Sequence, residues 1–196
     1  MNSYFDDRRI NYQEAFNIQD PNEIFFLEEV LKEGLKLFEK LFKYKARFFV
    51  APNGPFPNRL ESVLNQCGIK YISQPKIQLE VLGYGKTRKV LHYLGMKNKY
   101  GQIYLTRNCY FEPGSPLKSD WINSCLKDIE TAFRWKKPAI ICSHRVNYIG
   151  GINVNNRQKS LLELKKLLNS IIRQWPDVEF ISSDLLGKII MESKQK

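Results

Sequence analysis

The apolar positions of this chain change their period several times, and each change marks an element. Across 22–43, Ile24, Leu27, Leu31, Leu35, Phe38 and Phe42 recur at intervals of three and four with Glu and Lys between them. That spacing predicts an amphipathic helix. The run RFFVA over 47–51 is short and apolar and stops at Pro52 in the punctuation PNGPFP, so it predicts a buried strand. A helix over 58–67 follows, ended by Gly68, and then a strand over 69–73. Between 74 and 100 the pattern weakens, because Gly83, Gly85 and Gly95 interrupt the apolar pieces 79–82 and 90–94. Alternation returns at 102–106 and leads into a polar and aromatic loop over 107–113. A helix over 116–135 carries Trp121, Cys125, Ile129, Ala132 and Phe133 on one side. The last part predicts a strand at 139–142, a helix at 157–173, a strand at 178–181 and a helix at 183–192. Ser182 or Ser183 would cap that final helix, with Asp184 in its first turn. Residues 1–21 are polar with a few aromatics and predict an irregular segment.

Strands alternating with helices through short connections predict an α/β fold of parallel β/α units. The reading is an irregular segment over 1–21 and a single α/β domain over 22–196. In such folds the loops after the strands share one face and carry the chemistry. The loops 52–57, 74–76, 107–113, 143–151 and 182–184 are therefore expected together. The richest is PAIICSHRVNYIGG, where an apolar strand delivers Ser143, His144, Arg145 and Asn147 into a loop closed by Gly150 and Gly151.

His144 is one of only two histidines. Its imidazole suits general acid or base work near neutral pH, and a histidine merely satisfied at a strand end is the plain alternative. A lone histidine does not supply the roughly three protein ligands of a catalytic metal, so no metal ligand is assigned. His92 falls in a segment with no clear period and is read as a residue that packs or sits at the surface, not as a ligand. The candidate substrate contacts are Asn53, Arg107, Asn108, Glu112, Arg145 and Asn147. Arg107 offers a planar donor fork, or else an internal ion pair with Glu112. The chain contains no GxSxG, no phosphate-binding P-loop and no GxGxxG, and Ser143 beside His144 is not a triad.

Composition changes this picture in two places. The 31 Lys and Arg against 20 Asp and Glu give a net charge of +11, which raises nucleic acid as a partner. The basic residues are spread along the chain, however. KTRK at 86–89 is the densest group, in an expected loop, and the spread argues against a nucleic-acid footprint. Second, no apolar run approaches the roughly 20 residues of a membrane span, and the N-terminus does not read as a signal peptide. Cys67, Cys109, Cys125 and Cys142 show no metal or disulfide spacing, so free thiols in a cytoplasmic protein are expected.

Two segments carry a family resemblance. RFFVAPNG (47–54) resembles the strand and turn that read Arg-x-Pro-x-Gly in polysaccharide deacetylase-like domains, and PAIICSH (138–144) resembles their late strand ending in Leu-x-His. The wider pattern is similar to a divergent bacterial subgroup of that family, over about 22–190. The resemblance implies a partial or distorted β/α barrel and hydrolysis of N- or O-acetyl groups on a glycan, with His144 as the catalytic acid. It also implies a divalent, zinc-like metal. The family's early Asp-Asp pair is matched only by Phe5-Asp6-Asp7 ahead of Arg8-Arg9, and its His-x-x-x-His is missing. The expectation is thus the C-terminal part of such a domain, weakly active or inactive alone and without an assured metal. It would self-associate or need a partner chain to complete the barrel. Two alternatives remain open: a non-catalytic glycan-binding or scaffold protein using Phe56, Tyr110, Phe111 and Tyr148 as stacking platforms, and a basic nucleic-acid-binding protein.

Overall fold

Short apolar runs make short strands, and in the computed structural model, which describes residues 4–5, 10–11, 15–52, 54–115, 119–151 and 153–193, no parallel strand exceeds three residues. In chain order the elements are β1 (Tyr4–Phe5), β2 (Ile10–Asn11), α1 (Glu23–Phe42), β3 (Phe48–Val50), α2 (Glu61–Gln66) and β4 (Tyr71–Ser73). They continue with β5 (Ile77–Gly83), β6 (Lys86–Leu91), β7 (Ile103–Leu105), β8 (Cys109–Tyr110), α3 (Trp121–Arg134), β9 (Ile141–Cys142), α4 (Val154–Gln174) and α5 (Ser183–Ser193). The chain is built of two compact units, Met1–Thr106 with Ile181–Lys196, and Arg107–Phe180. The stretch read as one domain over 22–196 is therefore composed of both.

In the first unit β3, β4 and β7 form a parallel sheet in that order. Its register stacks Phe49, Ile72 and Tyr104 in one row. That row faces a core made with Ile24, Leu27 and Leu31 of α1 and Val63 and Leu64 of α2. Phe16 and Ile18 are buried in the same core, although the segment before α1 reads as irregular. α5 packs against β7 and brings Gly187 onto the Tyr71 ring, so closely that any Cβ there would overlap the ring. β5 and β6 form an antiparallel hairpin turned by Tyr84 and Gly85, whose φ angles of 53° and 68° make the primed turn that suits twisted strands. KTRK lies on strand β6, not in a loop, and its Arg88 pairs with the buried Glu80 at 2.6 Å.

This unit also holds a buried polar network. The Tyr104 hydroxyl donates to Glu61, whose other oxygen accepts from Asn98 Nδ2 at 3.0 Å. His92 is buried and bonded to Gln78 Oε1 at 2.7 Å, so of the packing and surface positions open to it from the sequence it takes the first. Burial holds the His92 imidazole below its ordinary 6.5, against an opposing pull from Glu80, while burial raises the Glu61 carboxyl.

The second unit is one β–α–β–α run. β8 and β9 pair in parallel, with Cys109 opposite Ile141 and Tyr110 opposite Cys142. α3 and α4 pack on each other through a core that includes Phe111, Cys125, Ile129, Leu167 and Ile171. The Asp120 side chain caps α3 by accepting from Asn123 N at 3.0 Å, and Asn153 caps α4 in the same way from Asn156 N at 3.2 Å.

The α/β expectation holds at the level of a mixed fold with five helices and small parallel and antiparallel sheets, and among the described residues no barrel closes. The strand expected at 178–181 does not form. Val178 packs into the second core while Phe180 and Ile181 are exposed, so the apolar run is spent on side-chain contact without a strand partner. The helix expected at 58–67 is a 3₁₀ turn, Asn58–Leu60, followed by α2. Among the described residues no helix is long and apolar enough to cross a membrane, and no disulfide joins any of the four cysteines.

Two outcomes follow. Gly187→Val forces the buried Tyr71 ring aside and lowers stability by about 1–3 kcal/mol, read from urea unfolding. An unchanged midpoint removes the close contact. Because the folded state disfavours charged His92, the unfolded chain binds more protons just below pH 6.5, and stability falls as pH drops through that window. Glu61 acts in the opposite sense above pH 4.5, so the measurement is the difference between wild type and His92→Gln, whose curve should decline less below pH 6.5. Parallel curves refute it.

Candidate functional site

The carboxyl ends of β8 and β9 carry the site. Asn108 locks the two strands: its Nδ2 donates to Pro138 O at 3.0 Å and its Oδ1 accepts from Ile140 N at 2.6 Å. Phe111 N continues the ladder by donating to Cys142 O at 2.9 Å. One step further along the same register, Glu112 meets His144.

His144 Nδ1 lies 2.7 Å from Glu112 Oε1, and the His144 backbone N–H donates to the same oxygen at 3.1 Å. A carboxylate oxygen accepts, so the ring tautomer that suits this contact donates its Nδ1–H to Glu112 and leaves Nε2 open. The His144 side chain is 66% exposed and that of Glu112 only 19%, so the carboxylate is the fixed partner and the ring the accessible one. Glu112 Oε2 accepts from Asn147 Nδ2 at 2.7 Å. Asn147 is buried; its Nδ2 also reaches His144 O at 2.7 Å, and its Oδ1 accepts from Gly114 N at 2.8 Å. A 3₁₀ turn, Arg145–Asn147, swings Asn147 back under the site.

Cys142 precedes His144 by two residues, and strand geometry puts such positions on the same side. The ligand atoms of Glu112, Cys142 and His144 all lie within 4.8 Å of one another. A carboxylate, a thiol and an imidazole make a donor set that suits a zinc-like ion, and three protein ligands is the number at which catalytic zinc keeps an open position. The residues present thus fit the divalent metal that the resemblance implies. The sequence assigns no metal ligand, because a lone histidine falls short of the roughly three protein ligands of a catalytic metal. The usable signal was Cys-x-His at a strand end facing a carboxylate on the neighbouring strand. Burial pushes the Cys125 thiol up to about 11, with Asp128 adding to the rise, so that cysteine remains an apolar packing group.

The other expected site residues separate. Arg107 does not pair with Glu112; its guanidinium donates to Cys142 Sγ at 3.1 Å. Asn108 is committed to the strand lock with both ends of its amide. Arg145 is exposed beside the dyad. Asn53, like Asp6 and Asp7, lies outside the described residues. The loops 107–113 and 143–151 belong to the second unit, whereas 52–57, 74–76 and 182–184 belong to the first. Of the proposed stacking aromatics, Phe56 and Phe111 are fully buried and present no face to a ligand, Tyr148 is half-buried with its hydroxyl 2.7 Å from Ser143 Oγ, and Tyr110 is exposed.

Removing the Asn147 amide strands the Gly114 N–H and one Glu112 oxygen. Asn147→Ala is expected to cost about 1–3 kcal/mol in urea unfolding, whereas Arg145→Ala on the exposed side of the same turn stays within about 0.5 kcal/mol. Equal effects would remove Asn147 as the support of the site. Comparison with protein-family models, with curated proteins and with solved structures finds no match to this chain.

Proposed function

We propose that this chain is a deacetylase-like hydrolase acting on acetyl groups of a glycan, with His144 as its proton-transfer residue. The observation that carries the reading is the His144–Glu112 pair at 2.7 Å, an exposed imidazole whose Nδ1 is fixed by a carboxylate at the ends of two parallel strands. This is the arrangement that general acid–base catalysis requires: one ring nitrogen is anchored and the other is free to take or give a proton. Asn147 supports Glu112 from behind, so a proton accepted at Nε2 is met by a carboxylate that does not move. Arg145, on the exposed turn next to the ring, is placed to contact an acetylated sugar. A divalent ion held by Glu112, Cys142 and His144 would instead supply Lewis-acid polarisation of the acyl carbonyl, in place of proton transfer by His144. The fold that goes with this activity is a partial, deacetylase-type barrel completed by self-association or by a partner chain, with correspondingly slow turnover by the isolated chain.

Release of acetate from an N-acetylated sugar oligomer and from a simple acetyl ester tests it. His144→Ala and Glu112→Gln should each lower the rate above buffer by about 10²-fold, with Arg145→Ala raising KM more than it lowers kcat. A rate that is untouched by His144→Ala, or absent with every acetylated substrate, overturns the proposal.

A further inference from the structure

We propose that Glu112, Cys142 and His144 bind Zn²⁺ as a three-ligand site, in which the ion replaces the protons on the imidazole Nδ1 and the thiol. The inference goes beyond the hydrolase reading, since an ion can bind here whether or not acetyl groups are cleaved.

Placement is the first ground. Cys142 ends β9, and Glu112 and His144 lie two residues beyond β8 and β9, already held to each other by the ring and backbone hydrogen bonds of His144, so part of the entropy of assembling a ligand set is spent in folding. Distance is the second. Bonds of about 2.0 Å to nitrogen or oxygen and about 2.3 Å to sulfur, in tetrahedral geometry, put ligand atoms roughly 3.3–3.6 Å apart. The Nδ1–Oε1 separation of 2.7 Å and the outer limit of 4.8 Å bracket that range. Replacing the bridging proton by an ion therefore requires the ring and carboxylate to part by about half an ångström, with the sulfur closing in from a separation of no more than 4.8 Å.

The partners behind the ligands form the third ground. Glu112 Oε2 is occupied by the buried Asn147 amide, which leaves Oε1 as the oxygen turned toward the other donors. Cys142 Sγ accepts a guanidinium N–H from Arg107 at 3.1 Å, the kind of outer hydrogen bond that steadies a metal-bound thiolate. The donor set then names the ion. Thiolate and imidazole favour zinc and its neighbours, while Mg²⁺ and Ca²⁺ prefer all-oxygen shells. Binding releases the Cys142 thiol proton to solvent, while the neutral ring keeps its single proton by carrying it on Nε2 instead of Nδ1, and nothing is oxidised or reduced.

The test uses the purified chain, stripped with chelator and titrated with Co²⁺ as a visible stand-in for Zn²⁺. The expected result is a thiolate-to-cobalt charge-transfer band in the near ultraviolet that saturates at one equivalent and is bleached by one equivalent of Zn²⁺. Cys142→Ser should abolish the band. His144→Ala, at an exposed position that leaves the fold intact by circular dichroism, should weaken Co²⁺ binding by more than the about 10- to 100-fold that loss of an outer partner costs. Cys67→Ser should leave it unchanged. No saturable binding below millimolar Co²⁺, a band that survives Cys142→Ser, or affinity unaltered by His144→Ala each overturns the site. None of these readouts depends on acetate release, so this inference and the hydrolase reading fail separately.

Discussion

The amide of Asn108 fixes where every atom of the site stands. A parallel pair of two residues has few ladder bonds, and parallel pairing is slightly weaker per residue than antiparallel. Asn108 adds two side-chain bonds across that pair, to Pro138 O and from Ile140 N, at the end where the strands first meet. Register then propagates from the lock through Cys109–Ile141 and Tyr110–Cys142 to the Glu112–His144 contact. A slip of one residue would turn Cys142 and His144 to the opposite side of the strand, away from Glu112. A residue that reads in the sequence as a substrate contact is in this way the positioning element of the site.

Two carboxylates in the chain show how environment separates structural from chemical roles. Glu61 is buried, accepts from Tyr104 and Asn98, and is pushed upward by its surroundings, and its partners lie within the core. It closes a polar network that lets helix α2 lie against the sheet without orphaned groups. Glu112 also has both oxygens satisfied, but one of its partners is an exposed imidazole. Only the second arrangement can exchange its proton with something from outside. Buried polar satisfaction therefore does not mark a functional site by itself; a satisfied carboxylate coupled to an accessible ring does.

The elements with strong period were legible. α1, α3 and α4 bury one stripe each, and their apolar spacing survives with ends displaced by a few residues, because caps such as Asp120 and Asn153 decide the boundary. The hairpin of β5 and β6 was obscured because Gly83 and Gly85 read as breaks, when Tyr84–Gly85 is the turn itself. The run at 178–181 misled because a short apolar stretch does not say whether it will find a strand partner or only a core to touch. His144 and Glu112 were visible as candidates, but their meeting was not. It depends on a parallel pairing between residues about 32 apart, which no local pattern encodes.

Proton and ion compete for the same two atoms in this site. Without an ion, the ring Nδ1 and Glu112 Oε1 are hydrogen-bonded at 2.7 Å and Nε2 is left open. With one, both atoms become ligands, and His144 can no longer serve as the acid that the resemblance assigns to it. The presence of Cys142 within reach biases this competition, since an acid–base dyad has no use for a thiol while a borderline metal does. Arg107 sharpens the point, because a guanidinium directed at sulfur contributes nothing to imidazole chemistry yet offsets the charge of a bound thiolate. The residues around the dyad are thus more than a proton-transfer pair needs, and the excess is the set of groups that a zinc-like ion requires.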